Sequence, residues 1–447
     1  MSEELVNALS NLRFKASEWK FVDLRINIPP KSFGSDAINP HTQYSNPIAL
    51  MGDRPESGIG ASFTLGTGNE MVCKGADHIV KTLDGLSVSD LISTQQGFYE
   101  TLTNPLQLRW LSPYSGLPLM SAGLIVNTLL DAASKSVGLP TWEFLSRLPS
   151  DYLIKLINLR HLRNQYSQKK FCDILDQGLI GIDRRCLELK QQGIPVYYTT
   201  WIGHNAETIT EQILKEYNTR QIKTFKIKIS EVIEEDKIKL TEILRAIPEN
   251  INICVDANQT LSLDIAKRWL TFLSSVGVNW LEEPFAPDNV GLFQELIHFK
   301  KENNLSCEIV TGENCPNHYT ACGLMESGID RFQADPCRML GIIDTVVITI
   351  LSSLNNCNVT PHAGGSSLDE LSPHIQLFNL ARICTGTSIS ESLTENVGFC
   401  SHFFKQPTIV KAGKAQTPSK PGLLVGLSDE VMGKINDYRE SITWLEL

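Results

Sequence analysis

The chain has 447 residues, more than one ordinary domain takes up, with 42% apolar and 20% charged residues, a globular profile with ample core. Its net charge of −10 argues against nucleic acid or an anionic membrane as the main partner. Eleven scattered cysteines with no Cys-x-x-Cys read as small core hydrophobes in a reducing compartment, not as a disulfide frame or a thiolate metal site.

The stretch Met1-Ser2-Glu3-Glu4 is acidic and carries no apolar signal region. No apolar run approaches ~18 residues, so no membrane span is expected and the predicted compartment is cytoplasmic. Residues 18–27 alternate polar and apolar, the pattern of a half-buried strand. A Pro-, Gly-, Ser- and Asn-rich loop follows from Ile28 to about Ser45, long enough to suggest a functional loop. Strands are expected near Ile48 and over 58–64, then helices over 70–83, 87–103 and 119–136. Strands followed by helices predict a separate α+β domain over 1–145.

From Val196 the pattern changes. Short β runs near 195–200, 222–229, 252–257, 279–283, 308–312, 330–334, 357–361 and 387–394 alternate with helical stretches. This predicts an α/β fold, a modified (β/α)7β TIM-type barrel over 146–404. Neither GxGxxG nor a P-loop is present, which removes dinucleotide and ATP readings. The Gly/Pro/Lys-rich tail, 405–447, is expected to pack back on the first domain.

Asp256, Glu282 and Glu313 close successive β runs, where a (β/α) barrel keeps its active site. With no Cys or His at ligand spacing, an all-oxygen set selects a hard ion, Mg²⁺ first. Glu283 rivals Glu282, and strand alternation lets only one of them face the site. Lys226 and Lys228 share one face of the preceding strand. Two ammonium groups at ~4 Å repel by about 4 kcal/mol at an effective dielectric of ~20, enough to leave one neutral as a general base. Asp335 and His362 end consecutive later strands and would form an oriented imidazole, and Ala363-Gly364-Gly365 allows close approach of a ligand. Metal, lysine and imidazole fit proton abstraction beside a carboxylate, followed by racemisation or by dehydration.

The motifs Lys226-Ile227-Lys228, Asp256-Ala257-Asn258-Gln259, Trp280-Leu281-Glu282-Glu283-Pro284, Thr311-Gly312-Glu313, Asp335 and Pro361-His362-Ala363-Gly364-Gly365 resemble the mandelate racemase group of the enolase superfamily. Within it they look most like the L-fuconate dehydratase subgroup. The resemblance implies one Mg²⁺ per active site on Asp256, Glu282 and Glu313. It implies Lys228 as base, Lys226 as partner of the substrate carboxylate, and His362, oriented by Asp335, as the acid. Gly34, Ser35, Asp36 and Tyr44 would lie on a capping loop over the sugar. Asn258, Glu313, Ala363, Gly364 and Glu395 would contact substrate, with Glu391 an alternative to Glu395.

The implied activity is a hydro-lyase making a 2-keto-3-deoxy acid from an acid sugar such as L-fuconate. The alternatives are another acid sugar, an epimerase, or a non-catalytic sugar-acid-binding homologue. The expected partner is a small-molecule acid sugar, without nucleic acid or membrane, and a homo-oligomer follows by resemblance. Thr260-Leu261, Asn158-Leu159-Arg160-His161 and Ser366-Ser367-Leu368-Asp369 depart from the subgroup's usual residues.

Overall fold

The computed structural model describes residues 2–27, 43–52, 57–112, 114–200, 205–398, 400–435 and 443–445. Gly34, Ser35 and Asp36 lie outside them. The first sheet holds β1 (Trp19–Asn27), β2 (Gln43–Met51) and β3 (Gly58–Ala61), antiparallel in turn. The alternation read over 18–27 does not carry into burial: Phe21, Val22, Asp23, Leu24 and Ile26 are all buried, so β1 is covered on both faces. Tyr44 lies on β2, paired with Ile26 at the end of the hairpin that carries 28–42.

Helix Gly116–Ser136 packs across this sheet and against helix Asn69–Thr82. It is apolar nearly all round, so it can only be a core helix. Contrary to the expectation of no such run, it is long and apolar enough to cross a membrane by composition, yet 78% of its 18-residue window is buried in the protein. Its buried Asp131 is fully matched, by Lys135 at 2.6 Å and by the Ile59 and Leu423 N–H groups at 2.8 and 2.6 Å. The helix expected over 87–103 is two, Val88–Ser93 and Gly97–Thr103. The break falls over 94–96, and Gly97, which opens the second helix, takes φ +78°, a left-handed conformation foreign to a helix interior.

The second sheet holds eight parallel strands: β4 (Ile194–Thr199), β5 (Thr224–Lys228), β6 (Asn252–Asp256), β7 (Trp280–Glu282), β8 (Glu308–Thr311), β9 (Arg331–Phe332), β10 (Asn358–Val359) and β11 (Thr394–Glu395). A helix lies between each consecutive pair. Parallel neighbours need such crossovers, which is why the β runs alternate with amphipathic segments in the sequence. β11 pairs with β4, returning the sheet to its first strand. Among the described residues β10 and β11 share no ladder; one Glu395 N–H donates to Pro361 O at 3.2 Å. The tail is divided. The hairpin β12 (Val410–Lys411) and β13 (Lys414–Ala415) pairs with β4, whereas β14 (Thr443–Leu445) runs parallel to β1 in the first sheet.

His374, in helix Leu368–Phe378, is buried and accepts the Trp142 N–H at 3.1 Å. Burial holds its pKa down to about 3. It is therefore neutral in the fold, while the unfolded chain takes up a proton below its ordinary value near 6.5. That contribution is complete above pH ~6.5 and is lost as pH falls towards ~3. His374→Gln should flatten the decline of the urea midpoint between pH 7 and 4. A slope identical to wild type would refute this assignment.

Candidate active site

Inward-facing residues of the barrel come in layers two residues apart. Tyr197, Cys254, Trp280 and Val310 form one buried layer. Two residues further along their strands stand Thr199, Asp256 and Glu282. Backbone register sets Lys228 opposite Asp256, and Asp256 opposite Glu282. Glu313 follows Gly312, whose φ of +143° and contact with the Gln333 backbone, 2.7 Å from where a Cβ would lie, admit only glycine.

The sequence-predicted carboxylates converge. Asp256, Glu282 and Glu313 each offer an oxygen within 4.8 Å of the other two. Both lysines reach Asp256 Oδ2, Lys228 Nζ at 2.6 Å and Lys226 Nζ at 3.5 Å. Lys226 also meets Glu282 at 2.5 Å and Glu395 at 3.1 Å. Opposite, His362 Nδ1 bonds Asp335 Oδ2 at 2.9 Å, and its Nε2 lies 3.3 Å from Glu313 and 3.8 Å from Glu395. The Ala363 N–H donates to Glu395 Oε2 at 2.8 Å and the Gly364 N–H to His362 Nε2 at 3.0 Å. The Asn258 N–H, at φ +42°, donates to Asp256 Oδ1 at 2.9 Å. Glu391, exposed in the turn Ile389–Glu391, touches none of this, so Glu395 is the eighth-strand glutamate at the site.

Two expectations change. The lysine pair is not governed by its own repulsion. Burial pulls Lys228 down and Lys226 adds to that, but Asp256, helped by Glu313 and Glu282, prevails and the pKa rises. Lys226 is likewise held well above its ordinary range, because Glu282 and Glu395 outweigh burial. Nor does alternation carry Glu283 away. It stands one residue past the strand at φ +42°, fully buried, with Gln259 and Asn314 side-chain amides donating to it at 3.1 Å. Asn314 also donates to Glu313 at 3.3 Å, so Glu283 is one amide away from the triad.

Carboxylates outnumber cations in this pocket. Burial, with Asp256 and Glu313 nearby, pushes Glu282 up to about 8 in spite of Lys226. Burial also raises Glu395, but Lys226 and His362 bring it down to about 2. Burial lowers His362, yet Glu313 and the Asp335 hydrogen bond bring it up to about 9. Three convergent oxygens short of positive charge, with no sulfur or nitrogen among them, fit a hard divalent ion such as Mg²⁺.

Several residues of the site were not singled out in the sequence. Thr199 Oγ1 donates to Glu395, and Trp280 Nε1–H donates to Glu282 Oε2 at 3.1 Å. The Lys226 ammonium lies 5.5 Å above the Tyr197 ring, and Gln333 Nε2 donates to the Tyr197 hydroxyl at 3.2 Å. The i, i+2 rule that paired the lysines also finds Tyr197 with Thr199, Trp280 with Glu282 and Gln333 with Asp335. The departures at Asn158 and His161 sit elsewhere, around Glu100 and Tyr114. Thr260 bonds Ala257 O at 2.7 Å, within the turn after β6.

Residues 208–431 match the family described as enolase C-terminal domain-like. The chain belongs to this family. As an enolase-superfamily protein it is 27% identical to human mitochondrial enolase superfamily member 1 over 445 residues, 98% of each chain. The crystal structure of that human protein aligns with a TM-score of 0.86 at 26% identity, covering 95% of this chain and 96% of the other. L-galactonate dehydratase of Hypocrea jecorina is 28% identical over 432 residues, 94% of each chain. L-talarate dehydratase from Polaromonas sp. JS666, crystallised with Mg and L-glucarate, shares the fold at a TM-score of 0.69 and 17% identity, over 94% of this chain and 96% of that one.

Proposed function

We propose that this enolase-superfamily chain is a Mg²⁺-dependent acid-sugar dehydratase. The observation that carries the reading is the two-sided arrangement: Lys228 meets the carboxylate triad at Asp256 and His362 meets it at Glu313. A binder needs neither a base nor an acid there, whereas an elimination needs one of each. The similarity to an L-galactonate dehydratase along nearly its whole length supports the same reaction class.

In this reading Asp256, Glu282 and Glu313 hold the ion. When bound, Mg²⁺ supplies the charge that acidifies the carbon beside the substrate carboxylate, and takes a share of the Asp256 charge that otherwise keeps Lys228 protonated. Lys228 takes the proton from C2. Lys226, kept charged by Glu282 and Glu395, faces the substrate carboxylate. The C2–H electron pair is first taken up by the neighbouring carboxylate group, and then forms the C2–C3 double bond as His362, oriented by Asp335, gives its proton to the departing 3-hydroxyl. Water leaves, and the enol tautomerises to the 2-keto-3-deoxy acid. Asn258, Ala363, Gly364 and Glu395 line the sugar chain. L-fuconate and L-galactonate are the substrates we favour. The cytoplasm, a homo-oligomer and the division into 1–145, 146–404 and 405–447 belong to the same proposal.

The test is keto-acid formation over a panel of L-fuconate, L-galactonate, L-talarate and galactarate, with and without EDTA. Turnover is expected on at least one acid, lost on chelation and restored by added Mg²⁺. Activity indifferent to EDTA would contradict the mechanism. Epimerisation without keto acid would make the protein an epimerase, and binding without turnover a sugar-acid binder.

A further inference from the structure

The dyad residues Asp335 and His362 stand at the ends of β9 and β10, yet the turns that follow them are fastened to the other sheet. Asn46, on β2, is buried at 3% exposure. Its side-chain Nδ2 donates to Ser62 O at 2.8 Å, Ser366 O at 3.1 Å and Ser367 Oγ at 3.0 Å. Its Oδ1 accepts from Ser366 Oγ. Two N–H bonds thus serve three acceptors, so the donor side of the amide is fully used within the protein. The turn it grips begins at His362, and Ser367 is held there at φ +69°, a conformation that serine rarely adopts. Between them Gly365 lies under the Phe63 ring, where a Cβ would stand 2.5 Å from the ring edge.

A second branch runs from the same amide to the other dyad member. Ser62, whose carbonyl Asn46 binds, donates its hydroxyl to Cys337 O at 3.1 Å. The Cys337 N–H donates to Asp335 Oδ1 at 2.6 Å, and Asp335 Oδ2 orients His362. One buried amide therefore ties the turns after both β9 and β10 to the hairpin that carries 28–42. Among the described residues, the hydrogen bonds of Asn46 reach none of Asp256, Glu282, Glu313, Lys226 or Lys228.

We infer that Asn46 is a positioning residue for the acid half of the reaction, fixing the His362–Asp335 pair against the capping hairpin without touching the lysine and carboxylate half. The inference rests on the dehydratase reading and adds a division of labour to it. It assigns a purpose to Ser366 and Ser367, where this chain departs from the subgroup it resembles.

The experiment compares wild type, Asn46→Ala and Ser366→Ala with saturating L-galactonate and L-fuconate and Mg²⁺, reading solvent-deuterium exchange at C2 and keto-acid formation separately. Amide hydrogen exchange of the ligand-free proteins is followed by mass spectrometry. A shift of the dyad by about 1 Å is worth about 100-fold. Asn46→Ala should therefore lower dehydration about 100-fold and leave C2 exchange at the wild-type rate, with Ser366→Ala intermediate. Amide exchange should quicken in 336–338 and 363–367 and stay unchanged in β5 to β8. A purely structural role would lower both reactions together, and that outcome, or unchanged amide exchange in either turn, overturns the inference. Wild type inert on all four acids of the panel, with the amide pattern as expected, would instead overturn the dehydratase reading and with it the catalytic meaning of the coupling.

Discussion

Replacing Lys228 with alanine is expected to abolish exchange of the C2 proton in deuterium oxide, a loss of about 10³-fold or more. Lys228 Nζ lies 2.6 Å from Asp256 Oδ2, at the end of β5. Asp256 is not orphaned by the change, because Lys226 at 3.5 Å and the Asn258 N–H at 2.9 Å still face it. The variant should therefore fold, and its urea midpoint serves as the control. His362→Asn is the complementary case. It keeps a group able to meet Asp335, removes the transferable proton, and should retain C2 exchange while dehydration falls by about 10²–10⁴-fold. NMR of recovered substrate and a keto-acid assay read the two steps apart. Persistent exchange in Lys228→Ala would sink the base assignment.

Gly123→Ala is expected to give a large loss of stability from a single methyl group. Helix propensity favours alanine by about 1 kcal/mol. The added Cβ, however, would stand 2.3 Å from Met339 O and 2.7 Å from Gly341 N, both backbone atoms that cannot rotate aside. Overpacking that forces backbone to shift costs about 3 kcal/mol at the top of its usual range, so after the propensity gain the net loss should be about 2 kcal/mol. The displaced segment follows Asp335 and Cys337, so dehydration should fall as well. Gly323→Ala is the contrasting case. Its Cβ meets only Val290 methyls at 3.6 and 4.0 Å, and the same substitution there should stabilise by about 0.5–1 kcal/mol. Equal effects at the two positions, measured by urea unfolding, would remove the steric argument.

The barrel was legible because parallel strands and their crossover helices print two different periods on the sequence, and because Asp256, Glu282 and Glu313 each stop a β run at the same end. The lysine pair and the Asp335–His362 pair followed from the same geometry. What the sequence did not disclose depends on non-local contact. Glu283 stays near the triad through a left-handed residue that alternation does not foresee. The charge state of Lys228 turns on Asp256, 28 positions away, more than on Lys226 two positions away. The apolar helix Gly116–Ser136 shows its real place only once the sheet that covers it exists. Asn46 has no local pattern at all; its partners lie up to 321 positions along the chain.

The missing ladder between β10 and β11 gives the barrel wall two kinds of fastening. From β4 through β9 each strand is joined to both neighbours by regular main-chain bonds, and the carboxylates and lysines stand on that part of the wall. The strands that end at His362 and Glu395 are joined instead by one main-chain bond, by the Ala363 N–H on Glu395, and by the Gln376 amide, which donates to both Val359 O and Leu393 O. Side chains thus stand in for the ladder on the imidazole side of the pocket, and the crossover helix itself rivets the seam.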